Sequence, residues 1–103
     1  MLLMIICKFG GSSIATPDNI MKIADLVINK SKSDKIVCVF SAMGKTTDNL
    51  IQLGKLTQTD VKASIKILDD IKAFHIGFID KLFPHHNIDN IRILEFLTRK
   101  FED

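Results

Sequence analysis

The sequence predicts an α/β chain that opens with a strand–helix–strand unit and continues as helix. Three observations carry this expectation. Met1 to Cys7 and Ile36 to Phe40 are unbroken apolar runs, which suit strands covered on both faces. Between them, Ile20, Ile23, Ala24, Val27 and Ile28 recur at helical spacing. From Asp60 onward the apolar residues keep that helical spacing, interrupted at Pro84.

The first run ends in Lys8-Phe9-Gly10-Gly11-Ser12-Ser13. Lys8 is expected at the carboxyl end of a strand, and the glycine pair lets the backbone turn sharply and approach a ligand closely. Ser12 and Ser13 add hydroxyls, and the unpaired N–H groups of such a loop can cradle an anion. A lysine, two glycines and two serines suit phosphate, although a glycine pair also suits a plain strand-to-helix turn. Two standard phosphate motifs are excluded. The pattern G-x-G-x-x-G is absent, and the first glycine that a P-loop would need before Gly44-Lys45-Thr46 falls on Val39.

Thr16 is expected to cap the first helix, with Pro17 at its first position and Asp18 facing the positive end of its dipole, and the helix should run to about Lys30. Ser31-Lys32-Ser33-Asp34 reads as a loop, and the β-branched run from Ile36 as the second strand. Strand, helix and strand within so short a span make a βαβ unit, residues 1–41, with parallel strands and a right-handed crossover. Both carboxyl ends then lie on one sheet edge, where open α/β folds bind ligands. The loop Lys8 to Ser13 therefore faces the loop Ser41-Ala42-Met43-Gly44-Lys45-Thr46-Thr47-Asp48 across one crevice.

Thr46 or Thr47 can cap a second helix that fades near Gly54, its amino end suited to a carboxylate or phosphate. A helical segment is expected over about residues 47–102. Val61, Ile65, Leu68, Ile71, His75, Phe78 and Leu82 form one stripe, and Ile88, Ile91, Leu94, Leu97 and Phe101 another, both read as core or interface. Lys62, Lys66, Asp69, Asp70 and Lys72 read as a solvated face. His85, His86 and Asp89 lack a third ligand at recognised spacing, so a surface loop is expected there and no metal site.

At 103 residues the chain holds one small domain at most, and a hydrophobic content of 47% with mean hydropathy +0.21 is high for that length. The net charge of +2 is too small to argue for a nucleic-acid partner, and none is expected. Through Lys55 the chain is basic, with an excess of positive charge where an anion loop would benefit. Cys7 and Cys38 lie within the apolar runs and are expected as buried, reduced thiols. The opening apolar run has no basic residue before it and ends at Lys8, unlike a signal peptide or a membrane span. A cytoplasmic protein is expected. Two parallel strands do not make a self-sufficient sheet, so either the chain oligomerises extensively or, the favoured expectation, the domain is incomplete and the first part of a longer protein.

Two motifs resemble the amino-terminus of the aspartate kinases (aspartokinases) of the amino acid kinase superfamily. Lys8-Phe9-Gly10-Gly11-Ser12-Ser13 resembles the family's K-F-G-G-[ST]-S, and Ser41-Ala42-Met43-Gly44-Lys45-Thr46-Thr47-Asp48-Asn49-Leu50 its S-A-M-G-x-x-T-[DN]-x-L. Their separation by one helix is similar too. The resemblance implies the amino-terminal βαβ portion of the amino acid kinase fold. It also implies transfer of the γ-phosphoryl group of ATP, with Mg²⁺, to the side-chain carboxylate of L-aspartate, on the route to lysine, threonine, methionine and diaminopimelate. Carried over by position, Lys8 would be catalytic and neutralise the transferring group. Gly10, Gly11 and Ser12 would join it in holding the phosphates, and Ser41 and Thr47 would bind substrate.

The family's S-x-G-E glutamate, its catalytic aspartate, its adenine-binding half and its regulatory domains have no counterpart before Asp103. The chain alone is accordingly expected to be inactive, and the full-length protein a homo-oligomer. Two alternatives stand beside this reading. One is another amino acid kinase, acting on acetylglutamate, glutamate or a nucleoside monophosphate. The other is a non-catalytic, oligomerising remnant.

Overall fold

The computed structural model describes residues 3–83 and 88–102, with residues 88 and 89 described by their backbone alone. The elements run β1 (Met4–Phe9), α1 (Pro17–Ser31), β2 (Lys35–Phe40), α2 (Thr46–Leu56), α3 (Val61–Leu82) and α4 (Ile88–Glu102). They fall into two compact units, Met1–Thr47 and Asp48–Asp103, with α2 passing from the first into the second.

In the first unit β1 and β2 pair in parallel, from Met4 opposite Lys35 to Phe9 opposite Phe40. Lys35 N–H to the Leu3 carbonyl and Ser41 N–H to the Phe9 carbonyl, each 3.0 Å, extend the ladder at its two ends. The crossover is α1. Its Thr16 hydroxyl accepts the Asn19 N–H at 3.2 Å, Pro17 opens the helix and Asp18 lies in its first turn, as the sequence leads one to expect. The α/β class and the βαβ start therefore hold.

One expectation about the strands does not. Side chains alternate between a half-buried face, holding Ile5, Cys7, Ile36 and Cys38, and an exposed face. On the exposed face Met4 and Ile6 are 66% and 69% accessible, and Val37 and Val39 are about half accessible. An apolar run signals coverage on both faces, but among the described residues of this unit α1 is the only helix packed on the sheet, and it covers one face. For the same reason Cys7 and Cys38 are half-buried free thiols rather than fully buried ones. Among the described residues of this unit the one buried apolar residue is Ile14, which lies in the loop after the glycines, 3% exposed.

In the second unit α3 and α4 pack together. Asp60 caps α3, its Oδ1 accepting the Ala63 N–H at 3.1 Å. Ile71 and Phe78 are buried, and the His75 ring sits edge-on to Phe74 and Phe101 with Nδ1 2.8 Å from the Ile71 carbonyl. The predicted α3 stripe is thus core only in its second half. Val61, Ile65 and Leu68 are exposed, because α4 does not run alongside all of the longer α3.

Helix α2 does not fade at Gly54 but continues to Leu56, since a single exposed glycine costs a helix only about 1 kcal/mol. The expected solvated face holds for Lys62, Lys66, Asp69 and Asp70, with Lys66 and Asp70 in a 3.2 Å surface ion pair, while Lys72 is half-buried. The break at Pro84, the pair His85-His86 and the Asp89 side chain lie outside the described residues. Among the described residues no helix is long and apolar enough to cross a membrane.

Asp60→Ala removes the acceptor for one otherwise orphaned N–H of α3. The chain should lose about 1 kcal/mol of stability, read as a lower urea midpoint with an unchanged slope. A midpoint unmoved by the substitution would show that the cap is not formed in solution.

Candidate functional site

The two loops at the carboxyl edge of the sheet are joined backbone to backbone. The Gly44 N–H donates to the Gly11 carbonyl at 3.0 Å, and the Ser13 N–H folds the first loop on itself by donating to the Gly10 carbonyl at 3.1 Å. A β-carbon on Gly11 would lie 2.8 Å from the Ala42 carbonyl oxygen and 3.1 Å from that of Gly44. Only glycine permits this approach. Gly44 has φ 58°, a left-handed conformation that glycine adopts without steric cost.

Gly10 differs from both. A β-carbon there would meet nothing within 4 Å, and its backbone is not left-handed. Neither packing among the described residues nor a left-handed φ calls for glycine at this position. What glycine leaves at residue 10 is bare backbone facing open space, the surface an anion would need.

The two threonines also separate. Thr46 is buried, and both its hydroxyl, at 2.7 Å, and its N–H, at 3.1 Å, donate to the Met43 carbonyl. Its hydroxyl therefore closes the turn into α2 rather than capping the helix, which corrects one of the two capping alternatives. Thr47 lies in the first turn of α2, not before it, so it is not the cap either, and its side chain is exposed.

Lys8 is exposed and lies on the face of the sheet opposite α1, in register with Val39. Ser12 and Ser41 are exposed as well. Among the described residues, no hydrogen bond or ion pair holds the side chain of Lys8, Ser12, Ser41 or Thr47. Lys8, Gly10, Gly11, Ser12, Ser41 and Thr47 thus all belong to one unit, on or beside two directly bonded loops.

Sequence reasoning passed over Gly44 as the tail of an absent P-loop, although it supplies the turn that lets the second loop reach the first. It also passed over Ile14. The available signal was a lone apolar residue between the serines and the helix cap. With Ile20, Ile23, Val27, Phe40 and Met43, Ile14 lines an apolar hollow of about 540 Å³ beside Ser41. Such a lining does not suit a phosphate, whose charge needs donors. Among the described residues no cluster of three or more His, Cys, Asp or Glu side chains is placed to hold a metal ion.

Comparison with known proteins bears on these loops. The family model of the amino acid kinase family matches residues 3–94. Aspartokinase 1, chloroplastic, of Arabidopsis thaliana is 38% identical over 95 residues, which covers 89% of this chain and 16% of that protein. An aspartokinase of Bacillus sp. (strain MGA3) is 45% identical over 53 residues, 50% of this chain and 13% of the relative. The bifunctional aspartokinase/homoserine dehydrogenase 2 of Escherichia coli (strain K12) is 32% identical over 84 residues, 82% of this chain and 10% of the relative. The chain spans a small part of the length of each.

Proposed function

Since this chain belongs to the amino acid kinase family, we propose that residues 1–103 are the amino-terminal portion of an aspartokinase catalytic domain. In this reading they supply the phosphate loop and part of the aspartate site of an enzyme that transfers the γ-phosphoryl group of ATP to the side-chain carboxylate of L-aspartate. The observation that carries the reading is the union of the two loops through Gly11 and Gly44. It sets bare backbone at Gly10, two free serines and the amino end of α2 along one sheet edge.

Phosphoryl transfer asks a protein mainly for position and for neutralisation of charge on the equatorial oxygens. Lys8 supplies a cation near the strand end. The open space at Gly10 and the Ser12 hydroxyl fit phosphate oxygens, and the N–H groups at the start of α2, with the free Thr47 hydroxyl and Ser41, suit the carboxylates of aspartate. Mg²⁺ would arrive on ATP, since it is commonly held by substrate phosphates with few protein carboxylates. The whole enzyme would act in the cytoplasm as a homo-oligomer, at the first step towards lysine, threonine, methionine and diaminopimelate.

The test is aspartate-dependent ADP release with Mg-ATP, comparing this chain with a protein in which it is joined to the remainder of an aspartokinase domain. Turnover by the longer protein alone is expected. Turnover by the 103-residue chain itself would refute the claim that it lacks essential parts. If acetylglutamate, glutamate or a nucleoside monophosphate replaced aspartate as the preferred substrate, a different amino acid kinase would be indicated. Failure with all four would leave a non-catalytic module.

In the longer enzyme, Thr47→Val is expected to raise KM for aspartate several-fold and leave KM for ATP nearly unchanged. The exposed hydroxyl has no partner within the described chain to lose. An equal loss for both substrates would assign Thr47 to the helix start instead.

A further inference from the structure

We propose that Cys7 and Cys38 form a modification site: a dithiol that small-molecule disulfides convert into a disulfide between β1 and β2 of one chain. The two are direct partners in the parallel register, and both are free and half-buried. They share the sheet face of Ile5 and Ile36, so their β-carbons project the same way.

Adjacent strands lie roughly 4.7–4.9 Å apart, inside the roughly 4.4–6.8 Å that disulfides span between α-carbons. The β-carbons, projecting in parallel, keep about that strand spacing, slightly wider than the roughly 3.5–4.5 Å a relaxed disulfide prefers. Bond formation must draw the strands together a little. Strained disulfides are the more readily reduced ones, so the bond should be reversible rather than structural.

The chemistry closes with one external disulfide. The thiolate of one cysteine attacks glutathione disulfide, forming a protein–glutathione disulfide and releasing one glutathione thiolate. The second cysteine's thiolate attacks the protein sulfur of that bond, forms the cross-strand disulfide and releases the second glutathione. Two electrons pass from the protein thiols to the reagent, and the two thiol protons end on the two glutathiones. The register favours the second step over a second adduct, because the attacking sulfur is already held beside its target.

The test treats the native chain with glutathione disulfide, alkylates the remaining thiols and digests with trypsin. The expected product is the peptide ending at Lys8 joined to the peptide Ile36 to Lys45, with the intact chain lighter by two hydrogens. Ring closure should run at least about tenfold faster in the native chain than in urea. Cys38→Ser should leave Cys7 carrying one glutathione, and Cys7→Ser should leave Cys38 carrying one. Two stable adducts on the native wild-type chain, no reaction at all, a link found only between two chains, or closure as fast in urea would each overturn the proposal.

Discussion

Lys8→Ala in an enzyme containing this chain is expected to slow aspartate phosphorylation by about 10²-fold or more, with folding nearly unchanged. The two halves of that expectation rest on different facts. Lys8 is exposed and forms no ion pair among the described residues, so its removal leaves no buried group unsatisfied. Exposed substitutions of this kind usually change stability by about 0.5 kcal/mol or less. The rate, in contrast, depends on charge that develops on the phosphoryl oxygens, and a cation beside them, the role proposed for Lys8, acts most strongly in the transition state. A loss of about 10²-fold corresponds to about 2.7 kcal/mol of the barrier. The fall should appear in kcat as well as in kcat/KM. Lys8→Arg should recover part of it, since the charge is kept while its geometry changes. An unchanged rate for Lys8→Ala would remove Lys8 from the site. A lowered melting temperature in parallel with the rate would make it a structural residue.

Gly11→Ala is expected to destabilise the chain by about 2 kcal/mol, in the range of overpacking at a close contact. The added methyl would press on the carbonyl oxygens of Ala42 and Gly44, which are backbone atoms and cannot swing aside. Relief requires the loops to part, and with them the hydrogen bond from Gly44 N–H to the Gly11 carbonyl. Gly10→Ala is the informative partner. Its methyl meets nothing within 4 Å and no left-handed φ penalises it, so the urea midpoint should stay near that of the parent. In the longer enzyme it should nevertheless weaken ATP binding, because the methyl would occupy the space proposed for the phosphates. Equal destabilisation by the two substitutions would show that residue 10 is packed in solution. Full activity of Gly10→Ala would show that no ligand approaches there.

These two substitutions mark how far the sequence could be read. Gly10 and Gly11 are adjacent and belong to the same motif, and nothing in the residue string tells them apart. The carbonyl that excludes a β-carbon from Gly11 comes from Ala42, distant in sequence and brought near by the parallel pairing of β1 and β2. Thr46 and Thr47 were likewise interchangeable as candidate caps until the turn at Met43 engaged the hydroxyl of the first and left the second exposed. By comparison, the Thr16 cap and Pro17 at the start of α1 were legible at once. The Thr16 hydroxyl accepts its N–H from Asn19, three residues away, and proline's fixed φ suits the first helical position by itself.

The sequence by itself determined the α/β class, the order of the elements, the start of α1, and the two motifs that tie the chain to the amino acid kinases. All of these are written in local spacing: period, cap and turn chemistry act over a few residues. Only the tertiary structure decided which glycine the fold requires, which threonine is structural, that Cys7 faces Cys38, and that Met4, Ile6, Val37 and Val39 are uncovered. Those outcomes follow from strand register and from how many elements flank the sheet. Such relations join distant residues, and an apolar run reads the same whether or not a second helical layer is there to cover it.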